Sequence, residues 1–123
     1  MRFMLIRRAD KETEAGVLPS EEMLAAMMKY NDELARAGAL LQAEGLQPSS
    51  KGARVRITKT NPVVFDGPFA ETKELIAGFT MIQVESITEA IEWVKRWPSI
   101  DAGAEIEIRQ LFEAEDFGTK EEV

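Results

Sequence analysis

The sequence predicts an α+β fold in which two helices cover one face of a single sheet. Segments with the two-residue period of strands occur before, between and after two segments with the helical period of about 3.6 residues. Two of the strand segments are apolar on both faces, so both faces need cover. With 123 residues, no linker and no internal repeat, the chain is predicted to be one domain over 1–123, with a frayed acidic tail from about residue 114.

The strand predicted at Arg2–Arg8, RFMLIRR, is apolar on both faces. The four residues from Phe3 to Ile6 are all hydrophobic, and successive side chains of a strand point to opposite faces. The strand predicted at 79–85, FTMIQVE, is largely apolar in the same way. The residues between the first strand and the first long helix, 9–19, are predicted to form a polar connection.

The first helix is predicted to begin after Ser20 and to stop at Gly38. Serine is a favoured N-cap, two glutamates follow it at the positive end of the helix dipole, and glycine is a common C-terminal stop. The spacing of four, three and four residues places the apolar side chains on one stripe. That stripe consists of Met23, Met27, Tyr30 and Leu34.

The second helix is predicted to begin near Ser86 and to end before Pro98. Ser86 and Glu89 have the spacing of a capping box, and Thr88 is a rival cap. Three further strands are predicted at 39–44 (ALLQAE), 53–59 (ARVRITK) and 105–111 (EIEIRQL). The segment NPVVFDG, 61–67, is either the second strand of a hairpin or a short extra strand.

This order of strands and helices is that of the ferredoxin-like βαββαβ fold. Two helices can cover only one face of such a sheet, so the apolar residues on the other face would be exposed in a monomer. A second copy of the same sheet is the simplest cover. The sequence therefore predicts a homodimer with two-fold symmetry.

The composition excludes several classes of function. The chain has no cysteine and no histidine, which removes disulfides, thiolate or imidazole catalysis, and zinc or iron–sulfur sites built on these residues. No motif for a metal or another cofactor is present, so none is predicted. The net charge of -7 argues against nucleic-acid binding. Without an apolar run of membrane-spanning length or a signal peptide, a cytoplasmic location away from membranes is predicted.

The motif DGPFAETKE, 66–74, resembles the signature of the YCII-related superfamily, in its DGPF branch. Other segments agree with it, and the resemblance covers residues 1 to about 113. The supporting segments are PSEEM (19–23), EGLQP (44–48), EAIEW (89–93) and EIEIR (105–109). The resemblance implies a ferredoxin-like fold that dimerises into an α+β barrel, association with sigma factors, and no established reaction. A His–Asp pair proposed as the active site of a related branch cannot be carried over, because this chain has no histidine.

The DGPF motif has both a structural and a functional interpretation. Turn chemistry explains Gly67 and Pro68, with Phe69 as an anchor in the core and the Asp66 carboxylate capping nearby N–H groups. The functional alternative makes Asp66 or Glu71 a carboxylate that accepts a proton or binds a polar ligand. Lys73 would set the charge state of that carboxylate. Charged residues of a hairpin are usually solvated, and this interpretation is preferred for Glu71, Lys73 and Glu74.

Three further ligand-binding candidates each have a structural alternative. Glu44 ends a strand beside a Gly-Pro loop, and an exposed strand end explains it equally well. Tyr30 lies on the apolar helix stripe, so it is either a core residue or a hydroxyl donor to a ligand. Arg109 can face an anionic ligand or pair with a glutamate across the sheet. The same two alternatives apply to Arg54 and Arg56, whose expected partners are Glu105 and Glu107.

Two functional hypotheses follow. The first is binding of a small polar metabolite in a cleft between the DGPF turn and the EGLQP loop, with or without acid–base catalysis by a carboxylate. The second is a non-enzymatic homodimeric interaction module that docks a regulatory partner such as a sigma factor. An enclosed polar pocket at Asp66, Glu71 and Glu44 would favour the first, whereas solvated carboxylates would favour the second.

Overall fold

The computed structural model describes residues 1–70 and 74–118, and its main elements occur in the predicted order. The strands of this part of the chain are β1 (Arg2–Arg8), β2 (Leu40–Gly45), β3 (Ala53–Arg56), β4 (Val63–Asp66), β5 (Ile76–Gln83) and β6 (Ile106–Gln110). The α-helices are α1 (Lys11–Glu14), α2 (Glu21–Arg36) and α3 (Ile87–Lys95). None of these helices is long and apolar enough to cross a membrane.

Four strands form one antiparallel sheet in the order β2, β5, β1, β6. Helix α2 joins β1 to β2 across β5, and α3 joins β5 to β6 across β1. Each helix therefore passes over one intervening strand, and both pack on the same face of the sheet. The predicted ferredoxin-like α+β fold is confirmed.

The strands β3 and β4 form a separate two-stranded hairpin between β2 and β5. The hairpin alternative for NPVVFDG is thus confirmed. The predicted strand at 53–59 is shorter than expected, because regular pairing ends at Arg56, opposite Val63. All eight residues of the two strands are exposed, so neither face of the hairpin is buried in the single chain.

The helix caps explain where α2 and α3 begin. The Ser20 hydroxyl accepts a hydrogen bond from the N–H of Met23, and the Ser86 hydroxyl accepts one from the N–H of Glu89. Ser86, not its rival Thr88, is therefore the cap of α3. Gly38 has a φ of 74°, a left-handed conformation that glycine adopts without strain at a helix end.

The polar connection predicted at 9–19 contains a short helix that the sequence pattern did not indicate. Asp10 caps the short helix α1 by accepting from the N–H of Thr13, and the Thr13 hydroxyl accepts from the N–H of Asp10. This reciprocal pair satisfies backbone donors that would otherwise be unpaired at the helix start. Helix α1 ends at Glu14, whose carboxylate accepts a hydrogen bond from the N–H of Ser49.

The core lies between the helices and one face of the sheet. Its sheet side is formed by Phe3, Leu5, Ile82 and Val84, and its helix side by Tyr30, Leu34 and Ala90. We call the opposite face of the sheet the open face. Its centre consists of Met4, Ile6, Phe79 and Met81, which are only partly buried. Both faces of β1 and β5 are therefore apolar, as the sequence predicts.

Candidate functional site

The open face carries two rows of side chains that run across all four strands of the sheet. Strand register fixes both rows, because directly paired residues point to the same face. One row is Glu44, Phe79, Ile6 and Glu107, and the other is Gln42, Met81, Met4 and Arg109. Each row thus has an apolar centre and polar ends. Two predicted site residues, Glu44 and Arg109, lie on this face at opposite edges of the sheet.

Ion pairs neutralise most of the arginines on the open face. Glu107 binds Arg8 at 3.3 Å across the β1–β6 pair and Arg109 of its own strand at 3.2 Å. Arg2 donates to Glu113 at 3.0 Å, and this hydrogen bond holds the pKa of the Glu113 carboxyl below its usual value. Arg109 pairs with a glutamate as the structural alternative expected, but along the strand. Glu107 is thus shared between two guanidinium groups.

Arg54 and Arg56 do not pair with Glu105 or Glu107, and the predicted pairing was wrong for both. The Arg54 guanidinium lies 3.9 Å from the centre of the Phe69 ring, and that of Arg56 lies 4.9 Å from the centre of the Phe65 ring. These are cation–π contacts within the hairpin and its DGPF turn. They arise because the hairpin is separate from the main sheet.

The DGPF turn is held by a network that the sequence did not reveal. The N–H of Phe69 donates to the Ser49 hydroxyl at 3.0 Å. Ser49 in turn donates to Glu14 through its hydroxyl and, at 2.9 Å, through its N–H. The N–H of Gly67 donates to the carbonyl of Gly52 at 3.0 Å, and the Gly67–Pro68 peptide bond is cis. The turn is thereby fixed to the loop that follows EGLQP and to the end of α1.

The carboxylates of Asp66 and Glu44 are exposed in the single chain. Asp66 ends β4 opposite Ala53, and its carboxylate makes no hydrogen bond or ion pair within 1–70 and 74–118. The expected capping of nearby N–H groups by Asp66 is therefore not observed in that part of the chain. Two other candidates, Glu71 and Lys73, lie outside the described residues. In 1–70 and 74–118, no three acidic side chains come together as a metal site.

Tyr30 lies on the helix side of the sheet, away from Glu44 and Arg109. Its side chain is buried, its hydroxyl donates to the Trp93 carbonyl at 2.6 Å, and its ring centre is 5.2 Å from that of Trp97. The same side chain lines a surface cavity of about 300 Å³ beside Lys29 and Arg96. The sheet therefore separates Tyr30 from the candidates on the open face.

We predict that Tyr30 ionises only near pH 12, because burial raises its pKa from 10.0 to about 12. The neutral phenol then stabilises the fold fully below pH 10, and this stability is lost as the pH rises towards 12. A shift of this size corresponds to about 3 kcal/mol. Ultraviolet absorption of tyrosinate measures it directly, since the chain has one tyrosine. Tyr30→Phe should lack this alkaline loss, and titration of the folded protein near pH 10 would contradict the prediction.

Comparison with known proteins identifies the family. The sequence model of the YCII-related domain matches residues 1–115. The chain belongs to the YCII-related family. An uncharacterised protein of Rhizobium meliloti (strain 1021) is 34% identical to this YCII-related protein over 85 residues, which are 69% of this chain and 64% of the relative. The match thus spans less than two thirds of the relative's length. Membership of the DGPF branch stays a prediction.

A solved structure supports the fold assignment. The YCII-related protein is similar to 5-chloro-2-hydroxyhydroquinone dehydrochlorinase (TftG) from Burkholderia phenoliruptrix AC1100, whose structure was determined in complex with 2,5-dihydroxybenzoquinone. The TM-score is 0.50 at 15% sequence identity, and the match covers 94% of this chain and 98% of TftG. Over nearly the whole of both chains, the comparison shows a shared fold.

Proposed function

We propose that this protein binds a small polar molecule on the open face of its sheet, at the end next to the DGPF turn. The observation that carries the proposal is the composition of that face. An apolar floor with Phe79 and Ile6 is bordered by Glu44 at one edge and by Arg109 at the other. Binding sites for small molecules commonly combine an apolar lining with a few polar groups that fix orientation.

The chemistry of the face favours a flat ring that carries oxygen substituents. Phenylalanine side chains make favourable contacts with aromatic rings. Guanidinium and carboxylate groups at the edges form strong, charge-assisted hydrogen bonds to anionic or hydroxyl oxygens. The ligand of TftG, 2,5-dihydroxybenzoquinone, is a molecule of this kind. That ligand supports the class of compound proposed here.

A second copy of the chain closes the site in this proposal. One chain leaves Glu44 and Asp66 exposed and the centre of the open face partly exposed, so it does not enclose a ligand. In a homodimer the partner chain would cover the open face, bury the apolar surface around the ligand and remove water from the charged edges. Water exclusion strengthens the electrostatic contacts to a bound ligand.

The same site supplies groups for acid–base catalysis. In a chain without histidine, the Glu44 or Asp66 carboxylate would accept a proton from a bound hydroxyl group. The substrate in the name of TftG, 5-chloro-2-hydroxyhydroquinone, provides a direct assay. Turnover that Glu44→Gln or Asp66→Asn abolishes, with binding retained, would support catalysis. If the wild-type chain binds this compound without turning it over, catalysis on this substrate is excluded and the binding proposal stands.

Calorimetric titration with 2,5-dihydroxybenzoquinone tests binding. We expect saturable binding that Arg109→Gln weakens about tenfold, because one charge-assisted hydrogen bond contributes about 1.4 kcal/mol. The matched control is Arg36→Gln, an exposed arginine of α2 that pairs with Asp32 away from the sheet. Equal affinities of the wild type and of Arg109→Gln would place the ligand elsewhere. An absence of heat at millimolar concentrations would remove this class of ligand.

The alternative function is an interaction module without chemistry, such as a homodimer that docks a sigma factor. The exposure of Asp66 and Glu44 in the single chain favours this candidate. The same titration separates the two functions. A dimer that binds no small molecule but retains a purified sigma factor in size-exclusion chromatography would support the module.

A further inference from the structure

The hairpin of β3 and β4 is an arm without cover in the single chain. We define the arm as residues 53–66. Val55 and Val64 are directly paired, and 53% and 62% of their surfaces are exposed. A two-stranded hairpin on its own is marginally stable in water. The main-sheet end of the arm is held by the DGPF turn, whereas the paired valines expose apolar surface that normally needs a partner.

The two faces of the arm differ in chemistry. Arg54 and Arg56 lie on one face, where they cover the rings of Phe69 and Phe65. Val55 and Val64 lie on the other, with Ala53 and Asp66 beside them. The valine face therefore presents an uncovered apolar surface with one carboxylate at its base.

The charge of the arm is opposite to that of the rest of the protein. The arm contains Arg54, Arg56 and Lys59 against Asp66, a net charge of +2, whereas the whole chain carries -7. The remainder of the chain therefore carries -9. A basic arm on an acidic body is attracted to the body of another copy, and this attraction favours a second copy over a basic partner.

We propose that the arm docks on the open face of a second copy, with Val55 and Val64 against Met4 and Met81. The neighbouring row with Phe79 and Ile6 then stays free for the ligand. This inference rests on the homodimer of the proposed function and specifies which segment of the partner covers the site. Each chain has one arm and one open face, so two reciprocal contacts close a two-fold dimer. Because Asp66 shares the face of Val64, the arm carries this carboxylate to the site of its partner.

Cross-linking tests the contact. The chain has no cysteine, so Val64→Cys and Met81→Cys each introduce one thiol. The two variants are co-expressed with different affinity tags, purified through both tags, and treated with a short bis-maleimide. We expect a covalent dimer whose cross-linked peptides contain residues 64 and 81. The control replaces Val64→Cys by Leu18→Cys, at a site outside the arm that is 83% exposed, and should give no such link.

Weakening of the dimer supplies a second measurement. The double variant Val55→Ser, Val64→Ser should raise the dimer dissociation constant about 100-fold or more, because two reciprocal contacts lose apolar burial. Leu18→Ser should leave it unchanged. Light scattering of the wild type shows whether a negative result concerns the homodimer itself or only the arm contact. A monomer overturns both the arm contact and the closed site, whereas a dimer without the 64–81 link, or one that the valine changes do not weaken, overturns the arm contact alone.

Discussion

Replacing Gly67 with alanine is expected to lower the free energy of unfolding by about 3 kcal/mol. A Cβ atom at this position would lie 1.7 Å from the carbonyl oxygen of Ser49 and 2.6 Å from its carbonyl carbon. Both neighbours are backbone atoms, so a side-chain rotation cannot relieve the overlap. The DGPF turn must move away from the Ser49 loop, which breaks the hydrogen bond from Gly67 to Gly52 and the one from Phe69 to Ser49. Urea unfolding followed by circular dichroism measures the loss.

Gly45→Ala is the matched control, since no atom outside its neighbours lies within 4 Å of the added Cβ. It should change the free energy of unfolding by less than about 0.5 kcal/mol. If the DGPF turn of the Gly67→Ala variant detaches from the Ser49 loop while the rest of the protein stays folded, trypsin will cleave this variant at Arg54 and Arg56 faster than the wild type. Wild-type values in both assays would show that the turn accommodates a side chain, and would contradict the close approach seen here.

The elements that could be predicted are those whose determinants are local. Ser20 and Ser86 lie directly before the helices that their hydroxyls cap. The few consecutive apolar residues of β1 are enough to predict that both faces of this strand are covered. Helix α1 was missed because four residues carry no detectable period. Its cap was missed because Asp10 and Thr13 form a capping pair other than the usual Ser or Thr with Glu or Gln.

The candidate site was less predictable because its contacts join distant positions. The hydrogen bond from Phe69 to Ser49 joins residues 20 positions apart in the sequence, and the one from Ser49 to Glu14 joins residues 35 positions apart. No local sequence pattern encodes such contacts. The sequence explains Gly67 by the restricted backbone conformation of a residue that precedes proline. Its close approach to the backbone of Ser49 is a second reason for glycine, and it is seen only in the structure. The placement of Arg54 and Arg56 on aromatic rings likewise depends on how the hairpin leaves the main sheet.

Phe3→Ala is expected to cost about 3–5 kcal/mol, the usual loss for a large aromatic side chain truncated in a core. Phe3 is fully buried between the sheet and the helices, so its removal leaves a cavity within each chain. This loss is a large share of the 5–15 kcal/mol that typically stabilises a protein domain. Because the cavity lies inside one chain, the loss should be the same at every protein concentration.

Met4→Ala, one residue along the same strand, is the matched comparison because its side chain lies on the open face. If a second copy covers that face, the stability of the wild type rises with protein concentration by mass action. Met4→Ala weakens the association, so its deficit relative to the wild type should grow between 1 and 100 µM in urea unfolding. A deficit that is the same at both concentrations would show that the open face is not buried against another chain. The two neighbouring substitutions thus separate burial of the sheet by the helices, measured at Phe3, from burial of the sheet by a partner chain, measured at Met4.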